Sequence, residues 1–224
     1  MSTEKKEKDS TFISDFGFVK GYKSKLSNKK KNIIHFFSKY KLDLNLDKFI
    51  DSQLLVNIQK VTNDTYLHTF DGNLRENSLK NSNKHQLSSS LNLSLNHEKF
   101  NFSTGAIINE KLAGKNSDRY QFILPYYDFS KNLPFNDNLG SLNLNSSGSS
   151  NLKDTNNLRS RVINDLNFNS SDFISKIGIK NNLNIYSKNL NTVAKNDALY
   201  KSSPQVELMG ILEAQSSLPL IKLG

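Results

Sequence analysis

The chain has 224 residues and a net charge of +9, from 30 Lys and Arg against 21 Asp and Glu, and it contains no Cys. Without Cys, a zinc–thiolate site, a disulfide framework and a cysteine nucleophile are excluded, and no apolar run approaches the roughly 18 residues that a membrane helix needs. Asn and Ser are abundant, and both disfavour helices because their side chains compete for backbone hydrogen bonds. Composition therefore argues against a mostly helical protein.

At the N-terminus, residues 1–11 are predicted to form a charged leader, and residues 12–224 a single domain. The leader carries Lys residues but no apolar segment follows them, so it lacks the pattern of a signal peptide. Most of the excess positive charge lies in the first 48 residues. The chain has only four Arg, the residue that phosphate and guanine recognition favours. We therefore predict no nucleic-acid partner.

The segment 34–46 alternates between apolar and polar side chains. Because successive side chains of a strand point to opposite faces, this pattern predicts a β-strand with one apolar and one polar face. Tyr40, Leu42, Leu44 and Leu46 are predicted on the apolar face. The residues predicted on the polar face are Lys39, Lys41, Asp43 and Asn45.

The same alternation recurs along the rest of the chain. Residues predicted on the polar face of later strands are Asn57, Asn92, Asn96, Arg159 and Arg161. Clusters of Asn, Asp, Gly and Ser, which accept tight turn conformations, lie at residues 71–73, 81–84, 113–117, 136–138 and 146–150. The pattern predicts about eight to ten antiparallel strands joined in sequence.

Two architectures share this alternation. A soluble β-sandwich buries its apolar face in a core, whereas a transmembrane barrel turns that face to lipid and its polar face to an aqueous lumen. The barrel is favoured because the strands approach the length that crosses a bilayer and the polar positions are strongly polar. Several Tyr are predicted at or near strand ends, where an aromatic girdle would lie: Tyr40, Tyr66, Tyr120, Tyr126, Tyr127 and Tyr186. We expect an all-β, antiparallel up-and-down sheet that is part of an outer-membrane barrel.

Pro125 is predicted to interrupt the strand that begins at Tyr120. Proline has no backbone N–H and is confined to strand ends, edges or bulges. We therefore expect this strand to end or bulge at Leu124 and Pro125, with Tyr126 and Tyr127 at a membrane boundary. An ordinary turn proline is the alternative. The sheet as a whole is expected to be open, with unpaired edges near Phe18 and Leu220.

Several segments together resemble the barrel of the lipopolysaccharide-assembly outer-membrane protein family, LptD or OstA, of the alphaproteobacterial type. The first is the segment 118–130, which contains Leu124-Pro125-Tyr126. A glycine-led alternating strand that ends in Ser-Gly follows at 139–148, and a Thr and an Arg follow within 154–161. The segments 61–67, 204–208 and 217–222 are similar to other elements of that family.

The resemblance implies a function without covalent chemistry. Such proteins take lipopolysaccharide from a periplasmic bridge and insert it into the outer leaflet, with a plug lipoprotein inside the barrel. It therefore implies lipopolysaccharide, the plug lipoprotein and the bridge proteins as partners, the cell outer membrane as the location, and no cofactor, metal or enzymatic activity. The nine polar-face residues named above would face the lumen. The similarity covers only part of the family's barrel and lacks its periplasmic jelly roll. A generic outer-membrane pore or surface β-protein and a soluble β-sandwich binding module are the alternatives.

Overall fold

The computed structural model describes residues 9–23, 30–70, 79, 81, 83–113 and 118–218. Residues 1–8 of the predicted leader and Leu220 lie outside these ranges, and the first strand begins at Ser10. The strands are β1 (Ser10–Tyr22), β2 (Lys31–Asp43), β3 (Asp51–Val61), β4 (Gln86–His97), β5 (Phe100–Lys111), β6 (Tyr120–Leu133), β7 (Gly140–Lys153), β8 (Asn157–Ser170), β9 (Phe173–Ile174), β10 (Lys180–Lys195) and β11 (Gln205–Ser217), and the one helix is α1 (Tyr66–Thr69).

All eleven strands belong to one antiparallel sheet, which confirms the predicted fold class at that level. The long strands follow one another in the order β1-β2-β3-β4-β5-β6-β7-β8-β10-β11, and the short β9 pairs only with β10. In the described residues β1 and β11 do not pair with each other, so the sheet is open. An up-and-down order of this kind needs only short connections because each strand pairs with the next along the chain.

The sheet has two ends. At the lower end β1 begins, β11 ends, and the connections are residues 44–50, 98–99, 134–139 and 171–179. At the upper end the connections are residues 23–30, 62–85, 112–119, 154–156 and 196–204. The longest connection, 62–85, joins β3 to β4 and contains α1, so α1 lies at the upper end.

Strand register divides the side chains into an apolar face and a polar face. Leu42 lies opposite Leu54, and Leu54 lies opposite Leu93, which defines the apolar face. Lys39 lies opposite Asn57, and Asn57 lies opposite Ser90, which defines the polar face. Thirteen exposed large hydrophobic side chains of the long strands share the apolar face: Phe12, Phe16, Phe18, Phe36, Ile58, Leu91, Ile108, Leu166, Ile185, Val193, Val206, Leu208 and Leu212. Four exposed large hydrophobic side chains of the long strands do not lie on the apolar face: Ile13, Met209, Ile211 and the bulge residue Leu124.

A hydrophobic core lies at the upper end, among β1 to β5 and the 62–85 connection. There the polar face gives way to Ile33, Phe37 and Val61, which α1 covers with Tyr66 and Leu67. Leu79, Leu87 and Leu112 complete the buried cluster. The amphipathic pattern of β2 is thus lost near its start, because the face that is polar at Lys39 and Lys41 is apolar and buried at Ile33 and Phe37, while Phe36 keeps the opposite face apolar.

The strand predicted over residues 34–46 is shifted. β2 spans Lys31–Asp43, so Leu44 and Leu46 lie beyond its end. The N–H of Leu44 donates to the carbonyl of Ser52, and Asn45 adopts a left-handed conformation with φ of 47°. Asn tolerates that conformation because its short side chain can hydrogen-bond locally, so the turn begins before the alternating pattern stops.

The turn predicted at residues 146–150 is wrong. These residues form the middle of β7, where Ser146 lies between Phe129 of β6 and Asn164 of β8. Their composition is typical of a turn, but neighbouring strands on both sides supply the hydrogen bonds. Tertiary pairing therefore overrides the local preference, as is common for strands.

The bulge predicted at Pro125 is confirmed. Register shifts between Ile123 and Tyr126 in the β6–β7 pairing, and also between Gly105 and Ile107 in the β5–β6 pairing. β6 nevertheless continues to Leu133, because a bulge absorbs a residue that cannot donate a ladder hydrogen bond.

The predicted girdle of tyrosines at strand ends is wrong for three members. Tyr126 and Tyr127 lie in the middle of β6, and Tyr186 lies in the interior of β10. Only Tyr120 begins a strand, Tyr40 lies near the end of β2, and Tyr66 lies in α1. β6 continues past the bulge at Pro125 to Leu133, and β10 extends nine residues beyond Tyr186, so these rings lie at mid-strand positions.

Candidate functional site

The structure brings eight of the nine predicted site residues onto the polar face, while Asn45 lies in the turn after β2. The eight are Lys39, Lys41 and Asp43 on β2, Asn57 on β3, Asn92 and Asn96 on β4, and Arg159 and Arg161 on β8. One cross-strand row connects the two halves of the set: Lys41, Leu55, Asn92, Gly105, Tyr126, Ser149, Arg161 and Thr192. That this face lines a lumen stays a prediction.

Near the centre of the polar face, a tyrosine crosses over a glycine. The Nδ2 of Asn92 donates to the Tyr126 hydroxyl over 2.6 Å. Gly105 lies between these two strands, and a Cβ there would lie 2.0 Å from the Leu91 carbonyl oxygen and 2.8 Å from the Tyr126 hydroxyl. The glycine therefore gives the space that this side-chain bridge needs.

Below this bridge, a polar groove of about 400 Å³ opens on β4 to β8. Its polar-face side chains carry hydroxyl, amide and carboxylate groups, namely Ser94, Asn96, Asn101, Ser103, Asp128, Ser130, Asn145, Ser147 and Asp165. The Nζ of Lys188 lies 3.6 Å from the Oδ1 of Asp165, and that oxygen is enclosed without a hydrogen bond. Such a lining can form many hydrogen bonds with a polyhydroxylated ligand.

The two predicted arginines differ in what they contact. Arg159 donates from Nε and Nη2 to the carboxylate of Asp197, over 2.8 and 3.0 Å, and its guanidinium lies 4.8 Å from the centre of the Tyr200 ring. The side chain of Arg161 forms no hydrogen bond or ion pair with the part of the chain that the structure describes. Arg159 therefore fastens the 196–204 connection, and Arg161 is the one of the two that can contact a ligand.

Asp197 is also held by the backbone of its own loop. The N–H of Leu199 donates to Oδ1 over 2.8 Å, and that of Tyr200 over 3.1 Å. The Leu199 N–H, followed by the Arg159 guanidinium, lowers the pKa of Asp197 below its ordinary value, against the opposing effect of desolvation. The ionised carboxylate is therefore the form that closes this loop.

Sequence patterns missed a buried histidine cluster beneath α1. His35 is 5% exposed, its Nδ1 lies 2.7 Å from the Tyr66 hydroxyl and its Nε2 lies 3.4 Å from Asp15. Burial, followed by the Asp15 charge, raises the pKa of Tyr66. A Cβ at Gly17 would lie 2.4 Å from the His35 ring. The cluster anchors α1 to β1 and β2, and no spacing in the sequence indicates it.

A second feature missed by sequence is a ladder of polar side chains across the apolar face. The Ser146 hydroxyl donates to Oδ1 of Asn164 over 2.7 Å, and Nδ2 of Asn164 donates to Oδ1 of Asn189 over 3.1 Å. Asn191 also donates to Oδ1 of Asn189, and Tyr127 lies 3.2 Å from the Ser146 hydroxyl. The interrupted apolar alternation of β7 was its only signal. We call these five residues the polar ladder.

The described residues hold no group of three or more His, Cys, Asp or Glu side chains that could bind a metal ion. No helix among them is long and apolar enough to cross a membrane. No family model and no curated protein matches the chain.

Proposed function

We propose that the chain is a sector of an outer-membrane β-barrel that takes part in lipopolysaccharide assembly. In this proposal the apolar face contacts lipid, and the polar face lines the aqueous interior through which the saccharide part of lipopolysaccharide passes. The lipid part reaches the outer leaflet. The protein acts by binding and guiding, not by covalent chemistry.

The observation that carries the proposal is the segregation of exposed hydrophobic side chains to one face. Monomeric soluble proteins seldom expose a contiguous apolar patch of more than a few hundred Å². Here thirteen large side chains share the apolar face, from Phe12 at 65% exposure on β1 to Leu208 at 77% on β11. A lipid environment satisfies such a face. The long strands have 11 to 16 residues, which is enough for the roughly 9–11 that a tilted crossing of the membrane needs.

The asymmetry of the connections supports an orientation. Outer-membrane barrels have short periplasmic turns and longer extracellular loops. The longest connection, 62–85, is at the upper end, whereas β1 begins and β11 ends at the lower end. We therefore place the upper end outside the cell and the lower end in the periplasm.

The polar ladder is compatible with lipid because its members satisfy one another. An unpaired polar group in lipid costs several kcal/mol. Each amide of Asn164 and Asn189 has a partner, and Nδ2 of Asn189 donates onward to the carbonyl of Glu207. The hydrogen-bonding groups of the ladder are therefore paired within the protein.

The assignment to lipopolysaccharide assembly is supported by the resemblance of the 118–130, 139–148 and 154–161 segments and by the chemistry of the polar face. Lipopolysaccharide carries sugars and anionic groups. The groove on β4 to β8 supplies hydroxyls and amides, and Lys39 and Arg161 supply positive charge elsewhere on the same face. The plug lipoprotein and the periplasmic bridge proteins are proposed partners on the strength of the resemblance alone.

The test uses a photoactivatable residue at two neighbouring positions of β7. Asn145 lines the polar groove, and Leu144 is next to it on the opposite face. The chain is reconstituted in vesicles of phospholipid and lipopolysaccharide. We expect crosslinks to the saccharide from position 145 and to acyl chains from position 144.

Other outcomes separate the alternatives. Acyl crosslinks at 144 with no saccharide crosslinks at 145 would point to a generic pore or surface protein. A chain that stays in solution without detergent or vesicles, with no crosslinks at either position, would point to a soluble β-sandwich binding module and would refute the membrane assignment.

A further inference from the structure

Charged side chains on the apolar face lie near the ends of the strands. On the fully described strands β2 to β8, β10 and β11, pairing places four charged side chains on this face: Lys60, Glu110, Lys131 and Lys195. The first two and Lys195 lie within two residues of the upper ends of β3, β5 and β10, and Lys131 lies two residues from the lower end of β6. A charge that faces lipid is costly near the bilayer midplane and costs little at the boundaries. This is the charge distribution that a hydrocarbon layer between two polar boundaries requires.

Contacting aromatic rings lie at the lower end of the same face. The His97 ring stacks on Phe100 with 4.8 Å between the ring centres, and Phe49, from the 44–50 connection, contacts these two rings at 5.8 and 6.1 Å. Phe129 lies 6.0 Å from Phe100. Two further pairs are Phe135 with Phe168, at 5.2 Å, and Phe12 with Tyr40, at 6.5 Å. We call these eight residues the lower belt.

The upper end of the face has a network of ion pairs instead. The Nζ of Lys60 donates to Glu110 over 2.8 Å and to the Tyr120 hydroxyl over 3.1 Å. Arg119 donates to the other oxygen of Glu110 over 3.1 Å and to Asp64 over 2.7 Å. Half of the Lys60 side chain is exposed, whereas that of Glu110 is buried. Charges that are paired in this way and partly exposed suit a boundary with water and not the hydrocarbon.

The height between the two ends matches a hydrocarbon layer. Phe100 is the first residue of β5 and Glu110 is its eleventh, so the chain takes ten steps from the lower belt to the upper charge. At a rise of about 3.3 Å per residue and a tilt of about 40°, ten steps cover a height of about 25 Å. The apolar band of an outer-membrane barrel is also about 25 Å tall. On β6 the same two heights are marked by Tyr120 and Lys131.

We propose that the lower belt lies at the boundary between the acyl chains and the headgroups of a phospholipid leaflet, and that the middle of the apolar face lies in the hydrocarbon. Aromatic rings favour that boundary, and the flexible stem of Lys131 lets its ammonium reach the phosphates and water. The inference rests on the membrane assignment of the proposed function, but it does not depend on lipopolysaccharide as the ligand.

Depth-dependent fluorescence quenching tests the boundary, and the absence of Trp from the chain gives a clean background. Single-Trp variants of the full chain are reconstituted in phosphatidylcholine vesicles brominated near the ester end or near the methyl end of the acyl chains. Phe100→Trp and Phe135→Trp report on the lower belt, and Leu91→Trp reports on the middle of β4. Asn101→Trp is the matched control, because residue 101 is next to Phe100 but on the polar face.

We expect both belt variants to be quenched more strongly by bromine near the ester end and Leu91→Trp more strongly by bromine near the methyl end. Asn101→Trp should be quenched least by either lipid and most by acrylamide in the aqueous phase. Stronger quenching of the belt variants by the deep bromine would overturn the proposal, because the belt would then lie in the hydrocarbon. Belt variants that neither bromine nor acrylamide quenches would show that protein covers the belt, which would also overturn it.

The membrane assignment fails in a different way. If the unaltered chain does not float with vesicles and Leu91→Trp is not quenched by either lipid, the apolar face does not contact lipid and the proposed function is wrong. Quenching of Leu91→Trp without the expected depth at positions 100 and 135 would refute the position of the belt alone.

Added charges test the same depth assignment without an aromatic reporter. Leu91 and Leu142 both lie on the apolar face, the first in the middle of β4 and the second at the third position of β7, near the lower end. Leu91→Lys should lower the fraction of the chain that floats with vesicles several-fold, because the charge would lie in the hydrocarbon. Leu142→Lys should float like the unaltered chain. Equal losses in the two variants would show that charge is not excluded by depth and would overturn the proposal.

Discussion

The β1–β5 and β6–β11 sectors of the sheet are held together in different ways. Every member of the buried hydrophobic cluster belongs to the first sector or to its connections, from Ile33 to Leu112. Among the described residues of the second sector, Ala194 is the one buried hydrophobic residue. That sector instead has the polar ladder across four strands and the clasp between Arg159 and Asp197.

This difference shows that one part of a continuous sheet can provide stability while another part provides a binding surface. The burial of apolar side chains stabilises the folded state through an interaction that has no preferred direction. It therefore tolerates substitutions that conserve side-chain volume. Hydrogen-bonded side-chain ladders contribute less each and depend on every partner. The first sector is therefore suited to be the folding anchor. The second sector keeps more of its polar face accessible, and it holds most of the groove.

The largest expected effect on stability comes from removing one buried side chain of the first sector. Leu67 is 1% exposed, whereas Leu166 in the second sector is 40% exposed. We expect Leu67→Ala to lower the free energy of unfolding by about 2–5 kcal/mol and Leu166→Ala to lower it by far less. Urea unfolding followed by circular dichroism in micelles measures both. Similar losses would show that the cluster under α1 is not the anchor.

Two glycines give the next largest contrast between the sectors. A Cβ at Gly105 would meet the backbone oxygen of Leu91 at 2.0 Å, whereas a Cβ at Gly148 would meet the Tyr127 ring at 2.3 Å. Backbone cannot give way as a side chain can, so Gly105→Ala should cost about 1–3 kcal/mol and more than Gly148→Ala. Gly210→Ala, with open space above it, is the neutral control. A larger loss for Gly148→Ala would contradict this ranking.

The polar ladder can be tested by removing its central member. Asn164→Ala removes two hydrogen bonds of the ladder, although Ser146 keeps its contact with Tyr127 and Asn189 keeps that with Asn191. Because a hydrogen bond contributes about 0.5–1.5 kcal/mol and these groups are only partly buried, we expect a small but measurable loss of stability. Asn143→Ala, in β7 on the polar face, removes no side-chain hydrogen bond among the described residues and serves as the control. The same unfolding measurement applies. A loss for Asn164→Ala no larger than that for Asn143→Ala would show that the ladder does not stabilise this sector.

The smallest expected effect is a pH dependence confined to the second sector. The pKa of Asp197 is lowered in the folded chain, so its contribution is fully present above the ordinary carboxyl pKa of about 3.9 and is lost as the pH falls through the folded-state value. The protection factor of the Leu199 amide against hydrogen exchange, which corrects for the intrinsic effect of pH on exchange, should fall below about pH 4, while the protection of the α1 amides should not. Asp197→Asn should abolish this pH dependence. A fall in both places would indicate global unfolding instead.

Much of the fold could be predicted because alternation is a local property. The strand that carries Leu91, Asn92 and Leu93 follows directly from it, and so does the division of its side chains between two faces. The bulge at Pro125 follows from the missing N–H of proline. Eight of the nine polar-face positions, all but Asn45, could likewise be predicted, because parity within each strand is fixed once one apolar side chain is assigned.

The features that escaped prediction depend on neighbours that are distant in sequence. Residues 146–150 have the composition of a turn, and only pairing with β6 and β8 makes them a strand. His35 meets Tyr66 and Asp15 through three different elements. The groove, likewise, exists because β4 to β8 lie side by side.

The sequence by itself determined that this chain forms long antiparallel strands with one apolar and one polar face, because side-chain period and turn chemistry act over a few residues. Tertiary structure alone decided that α1 buries the upper part of the polar face, that Asn45 leaves its strand, and that asparagines meet in a ladder on the apolar face. These outcomes depend on register and on contacts between strands, which local patterns do not encode.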